Sequence, residues 1–134
     1  MKIAEFSVKT GSREEMVDVT AKVRQAVKDA GTDSGMAVCF VPHTTAAVTI
    51  NENADPDVTR DIIYKLNKDI PKNEDYHHGE GNSDAHVKST LVGASEHILI
   101  DGGNLVLGTW QGVYFCEFDG PRTRRLYVRI LSDS

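Results

Sequence analysis

Long apolar runs are missing from this chain. No stretch approaches the roughly 20 residues of a membrane-spanning helix, and the opening Met-Lys-Ile-Ala-Glu lacks the apolar segment of a signal peptide. The expectation is a cytoplasmic protein with no membrane partner. Cysteine is scarce: Cys39 and Cys116 sit in apolar strand-like runs, at neither the spacing of a metal site nor the density of a disulfide scaffold. They are expected as buried free thiols. Neither Gly-x-x-x-x-Gly-Lys-Ser/Thr nor Gly-x-Gly-x-x-Gly occurs, and Gly-x-Ser-x-Gly is also absent. That excludes nucleotide hydrolysis of the familiar kinds and a nucleophile-elbow esterase. Positive charge is short as well: 15 basic against 20 acidic side chains leave a net charge of -5, which removes the general electrostatic attraction to a nucleic-acid backbone.

What remains is an ordinary globular composition, 40% hydrophobic and 26% charged, in 134 residues, the size of one domain spanning 1–134. Charge is segregated along it. Nine of the 20 acids lie between Glu52 and Asp84, and four of the seven arginines between Arg122 and Arg129.

Patterning predicts a first strand over Lys2–Val8, then a helix opened by the capping box Ser12-Arg13-Glu14-Glu15 and closed at Gly31, with Met16, Val19, Val23, Val27 and Ala30 inward. From Gly35, the continuous run Met-Ala-Val-Cys-Phe-Val reads as a strand covered on both faces. Beyond Pro42, Ala46, Val48 and Ile50 share one side of an extended segment, and His43, Thr45, Thr49 and Asn51 the other. Asp55-Pro56 starts a second helix with Val58, Ile62, Ile63 and Leu66 on its packing side. A polar loop over Asn67–Asp84 follows, then a short helix capped by Asp84 and ended at Gly93, with free amides near Ala85–Val87 beside Lys88. Strands over Glu96–Ile100, Leu105–Trp110, Val113–Phe118 and Thr123–Leu131 complete a C-terminal meander. The expected class is α+β: a mixed, barrel-like sheet with two main helices and a short third.

Chemistry-bearing residues gather in two places. His77, His78 and His86 fall in or beside the polar loop, with His43 opening the other polar strip, a set of imidazoles suited to zinc or a similar ion. The spacing matches no compact zinc motif, and His97 in its strand reads as structural. Glu117 shares a strand face with Val113 and Phe115, where an acid requires a partner, and Gln111 joins that face if the strand continues past Gly112. Arg122, after the turn Asp119-Gly120-Pro121, is placed for a bidentate contact to phosphate or carboxylate.

Six strings, Pro42-His43-Thr44-Thr45-Ala46, Asn51-Glu52-Asn53-Ala54-Asp55, Tyr76-His77-His78, Asp84-Ala85-His86-Val87-Lys88, Leu107-Gly108-Thr109-Trp110-Gln111-Gly112 and Glu117-Phe118-Asp119-Gly120-Pro121-Arg122, together resemble the YjbQ-like secondary thiamine-phosphate synthase family. The resemblance implies a barrel-like α+β fold, a homotrimer, and a histidine pocket near a subunit boundary, often with a metal. It further implies union of a pyrimidine-methyl diphosphate with a thiazole phosphate, with release of pyrophosphate. His43, His78 and His86 match the family's histidines, and His77 falls at a variable position. Glu117, Gln111, Glu52 and Asn51 are then the expected catalytic residues, and Arg122, Lys88, Thr44 and Thr45 the expected phosphate contacts. Zinc suits three imidazoles, and magnesium suits the diphosphate. Some relatives carry histidine where this chain has Lys88. The same residues also accommodate metal-assisted hydrolysis of a small phosphorylated metabolite, or a non-enzymatic metal- or metabolite-binding trimer.

Overall fold

A computed structural model describes residues 3–133. The element order is β1 (Ile3–Lys9), β2 (Glu15–Asp18), α1 (Thr20–Ala30), β3 (Gly35–Phe40), β4 (Ala46–Glu52), α2 (Pro56–Asp69), α3 (Ser83–Val92), β5 (Ser95–Asp101), β6 (Asn104–Leu105), β7 (Gln111–Glu117) and β8 (Thr123–Ser132). Lys2, the expected start of the first strand, lies outside the described residues. The strands form a five-stranded sheet, β1-β8-β3-β5-β6, and a three-stranded sheet, β2-β7-β4. All of these pairings are antiparallel. The two sheets curl as a half-barrel around a core to which α1 contributes Val23, Ala26 and Val27, the five-stranded sheet Ala37, Cys39, Ile98, Leu126 and Val128, and the three-stranded sheet Val48, Val113 and Phe115. The α+β class with a barrel-like sheet and three helices is therefore the observed one, but the sheet expected to be mixed is antiparallel at every pairing among the described residues. No helix among the described residues is long and apolar enough to cross a membrane.

Local chemistry explains where the expected boundaries moved. The first helix starts at Thr20, not at the Ser12–Glu15 box, because Glu15–Asp18 pairs with β7 as a strand and sets Val17 opposite Phe115. Glu15 Oε1 accepts the Gly11 amide at 2.8 Å, and Asp18 Oδ1 takes the Thr20 amide at 2.9 Å. At the other end Gly31 adopts φ 63°, the left-handed terminator its position requires. Asp55 caps α2 as expected, accepting the Asp57 amide, with Pro56 in the first turn. Yet no residue of α2 is buried; its apolar side lies half-covered.

The third helix is capped at Asn82, two residues earlier than expected, so Asp84 is inside it. The amides of Ala85 and His86 are not free for an anion: both donate to the Asn82 carbonyl. The expected strand at Leu105–Trp110 shrinks to Asn104–Leu105, since Leu107 N–H turns back to the Leu105 carbonyl and the Gln111 side chain takes the Gly108 amide. Nor is the C-terminal half a meander. Strand β7 inserts between β2 and β4, and β8 between β1 and β3 in the other sheet.

One face of β3 is also uncovered. Ala37 and Cys39 are buried, whereas Met36, Val38 and Phe40 point outward beside Leu131, Arg129 and Tyr127 of β8 and Leu99, His97 and Ser95 of β5.

Candidate functional site

The period-two alternation of β8 puts Arg124 on the same side as Leu126, Val128 and Ile130, and there it meets Glu117 of β7. Glu117 is 0% and Arg124 2% exposed. The guanidinium Nε lies 2.9 and 3.1 Å from the two carboxylate oxygens, and Nη2 donates to Oε2 and, at 2.8 Å, to Thr45 Oγ1. Thr10 Oγ1 donates to Glu117 Oε1 at 2.8 Å, and the Asp119 amide donates to Oε2 at 3.0 Å. Burial alone raises the Glu117 pKa, but the Arg124, Asp119 and Thr10 hydrogen bonds bring it below the ordinary glutamate value. Glu117 and Thr45, expected to act on substrate, are thus held in a clamp joining β1, β4, β7 and β8. Gly120 is packed against it. A Cβ there would lie 2.5 Å from the Ser12 carbonyl oxygen and 2.8 Å from Glu117 Cγ, so only glycine fits.

Next to the clamp is a cavity of about 310 Å³, at the lower end of the range for small-molecule pockets, lined by His43, Thr44, Ala46, His86, Ser89, Thr90, Gly93 and Ala94. No carboxylate is in its lining. His43 stands on the segment between β3 and β4, its ring edge against Phe115. Its Nε2 accepts the Arg125 amide at 3.0 Å. Burial and the charges of Arg124 and Arg122 keep its pKa below the ordinary histidine value, against the opposing pull of Glu117. On α3, His86, Ser89 and Thr90 recur at helical spacing and share one stripe, and Gly93 follows as the cap residue. The exposed loop before α3 brings His78 to His86, with ring centroids 5.3 Å apart at 84°. His77 is exposed in that loop, and His97 lies on the outer sheet face opposite Val38.

The remaining expected residues are elsewhere. Asn51 and Glu52 pair with Gly112 and Gln111 at the end of the three-stranded sheet opposite to Ala46 and Glu117, about 20 Å away at the rise of an extended strand. There Gln111 Oε1 accepts the Gly108 amide at 2.8 Å, Asn51 Oδ1 the Glu52 amide at 2.7 Å, and Glu52 Oε2 the Asp55 amide at 3.2 Å. These residues shape a turn within one copy of the chain; they do not meet the histidines. Lys88 is also withdrawn. It is 1% exposed, with Nζ 2.9 Å from Asp84 Oδ2 and 2.6 Å from Asn67 Oδ1. Arg13 makes a fork to the same Asp84, at 3.0 and 3.1 Å, so burial, which by itself raises the Asp84 pKa, is outweighed and the group stays below its ordinary value. Arg122 is exposed, outside the cavity lining, and tied to Asp119 by Nη2 at 3.0 Å. Thr44, within the lining, is exposed too.

Metal chemistry fits this arrangement in part. Among the described residues no group of three His, Cys, Asp or Glu is placed to hold an ion. A neutral His43 whose Nε2 lone pair takes the Arg125 amide carries its proton on Nδ1, and so presents a donor rather than a ligand. His78 and His86 are the pair with nitrogens available. Both cysteines are buried, their thiols pushed up to about 12 by burial, which leaves them protonated and inert at neutral pH.

Sequence reasoning missed Arg124, Thr10, Ser89 and Thr90. Arg124 was signalled by the parity of β8, and Ser89 with Thr90 by their three- and four-residue spacing from His86. Thr10 is brought to Glu117 from 107 residues away, and nothing local announces it.

An α+β half-barrel with a histidine-lined cavity between its third helix and the β3–β4 segment is the class of protein these observations define. The sequence matches the profile described as "UPF0047 protein YjbQ-like" over residues 4–133, and the chain belongs to that family. It is 55% identical over 128 residues to UPF0047 protein MJ1081 of Methanocaldococcus jannaschii, covering 96% of this chain and 93% of that one. It is 50% identical to UPF0047 protein YugU of Bacillus subtilis, covering 94% and 96%. A crystal structure from Clostridium acetobutylicum superposes with TM-score 0.95 at 56% identity, covering 96% and 99%, and one from Aeropyrum pernix K1 with 0.94 at 38%, covering 99% and 100%. These relatives are named as UPF0047, uncharacterized or hypothetical proteins, and a similar Sulfolobus solfataricus structure is described as of unknown function. None of those names carries a thiamine designation. The expected place in thiamine biosynthesis, attached to the family through the resemblance, is accordingly withdrawn.

Proposed function

We propose that the chain is a hydrolase of a small phosphorylated metabolite, bound in the cavity between His43 and His86. The observation that carries this reading is the cavity's character: two imidazoles and three hydroxyl-bearing residues face a space with no carboxylate lining, and the charges of Arg122 and Arg124 act on His43. Such a lining donates hydrogen bonds and does not repel an anion. His43 Nδ1–H and the Thr44 hydroxyl are assigned to phosphoryl oxygens, and Arg122 to the phosphate at the rim. Glu117 acts as a positioning residue: it fixes Arg124, whose Nη2 donates to Thr45 Oγ1 and so holds Thr45, and through it the His43 segment, in place. Zinc is the ion we assign to the nitrogen pair His78 and His86, where it would supply Lewis-acid polarisation of a phosphoryl oxygen.

We further propose a cytoplasmic homotrimer with no nucleic-acid or membrane partner. The apolar run of β3 supports the assembly, because one chain covers only one of its faces. On the other face Phe40 is 45%, Leu99 58% and Leu131 40% exposed, more uncovered apolar surface than a strand of this composition keeps in the assembled state.

Phosphate release from a panel of phosphomonoesters, measured for wild type and His86→Ala with zinc content determined on the same samples, tests the function. Turnover in wild type and its loss by at least about 100-fold in a folded His86→Ala variant are expected. A wild-type protein that neither binds inorganic phosphate nor releases it from any ester overturns the reading.

A further inference from the structure

The stripe of α3 that faces the cavity contains one group without a partner. Thr90 donates its hydroxyl to the His86 carbonyl at 3.0 Å, and the Gly93 amide closes the helix on the Ser89 carbonyl at 2.8 Å. His86 is met by His78. Ser89 is 8% exposed, and its Oγ is buried with no hydrogen-bond partner among the described residues. A serine inside a helix can return its proton to the carbonyl one turn back, as Thr90 does next door; Ser89 does not. Buried hydroxyls are ordinarily satisfied, and the exceptions call for a specific explanation.

The surroundings say what would satisfy this one. The residues that share the cavity with it are His43, Thr44, His86 and Thr90, and Thr90 has already given its hydroxyl proton to the His86 carbonyl. His43 offers an N–H there, because its acceptor nitrogen already takes the Arg125 amide. Lys88, the adjacent residue, is bound to Asp84 and Asn67 and faces away from this role. A molecule seated between these donors must accept hydrogen bonds from several directions, which suits a tetrahedral oxyanion better than a cation or a neutral amide.

We propose that Ser89 Oγ, turned about its Cα–Cβ bond toward the cavity that the residue borders, is a direct contact to a phosphoryl oxygen of the bound metabolite and sets the preference of the cavity for a phosphate group. This rests on the cavity being the phosphate site proposed above. Ser89 contributes a hydrogen bond to the ligand and none to the fold, so its removal separates binding from stability.

The test uses the full chain, with inorganic phosphate as the probe in isothermal titration calorimetry and a thermal melt of the phosphate-free protein. Ser89→Ala is expected to weaken phosphate binding about tenfold, equivalent to about 1.4 kcal/mol, while the phosphate-free variant melts at or above the wild-type temperature because an unsatisfied buried hydroxyl is gone. Equal phosphate affinity in wild type and variant overturns the role of Ser89 and leaves the phosphate site standing. Failure of the wild type to bind phosphate overturns both. A Ser89→Ala protein that melts several degrees lower, or does not fold, shows a structural hydroxyl and overturns the role as well.

Discussion

Replacing Glu117 by glutamine probes the clamp with little change of shape. The amide removes the negative charge facing Arg124, a residue 2% exposed, and turns one acceptor into a donor against a guanidinium that only donates. Leaving a buried cation without its counter-charge costs about 3–5 kcal/mol. With an unfolding entropy of about 2.1 cal/mol/K per residue over 134 residues, that corresponds to a fall of about 11–18 °C in melting temperature. Urea unfolding followed by far-UV circular dichroism measures it directly, with an unchanged slope reporting an unchanged folded state. The double variant Glu117→Gln/Arg124→Met removes both charges. It should be at least about 1 kcal/mol more stable than the summed losses of the two single variants, because the two residues are in contact. A Glu117→Gln protein within about 1 kcal/mol of wild type, or strictly additive double-variant energies, would refute the clamp and return Glu117 to the list of free carboxylates available for catalysis.

Stability should fall in acid in two stages. His43 titrates below its ordinary value of 6.5, so the unfolded chain binds a proton that the folded one refuses, and stability declines as pH drops through about 6.5. Glu117, Asp84 and Asp18 are held below their ordinary values, so their contributions are present above the unfolded carboxylate range and disappear as pH falls below about 4.5. A melting temperature that stays flat from about pH 7 to 5 would contradict the first assignment, and one that stays flat from there down to about pH 2 the second. At the outer sheet face, Leu99→Lys changes a residue already 58% exposed and should leave the melting temperature of an isolated subunit within about 2 °C. By light scattering it should convert a trimer to monomer; a wild type that is itself monomeric, or a variant that remains trimeric, counts against that interface.

The elements legible in the sequence were those whose signal is local. Asp55-Pro56 and Gly31 marked helix ends because capping and left-handed geometry depend on one or two residues. The alternation in β8 was readable for the same reason. Glu15–Asp18 was misread as a helix start because its strand character comes from β7, nearly 100 residues on, and a capping-box pattern does not register a distant partner. The site divided likewise. His43 and His86 share a cavity as the clustering of histidines suggested, but Lys88 and Glu117 looked available only until their buried partners Asp84 and Arg124 were in place. Asn51, Glu52 and Gln111 belong to the same motif set and yet lie at the other end of a strand; a list of motifs carries no distance.

The position of β8 also bears on how the chain is made. Strand β1 pairs with β8 alone, and β8 separates it from β3, although both precede β8 in the chain by many residues. During synthesis β1 therefore emerges with its hydrogen-bonding edge unsatisfied, and one edge of β3 waits with it until β8 arrives to seal the sheet. In that interval the apolar inner faces of both strands are open to neighbouring nascent chains. Chaperone dependence and losses to inclusion bodies should then track the time spent before β8 is available, so slow translation through residues 105–122 would be the costly place to pause.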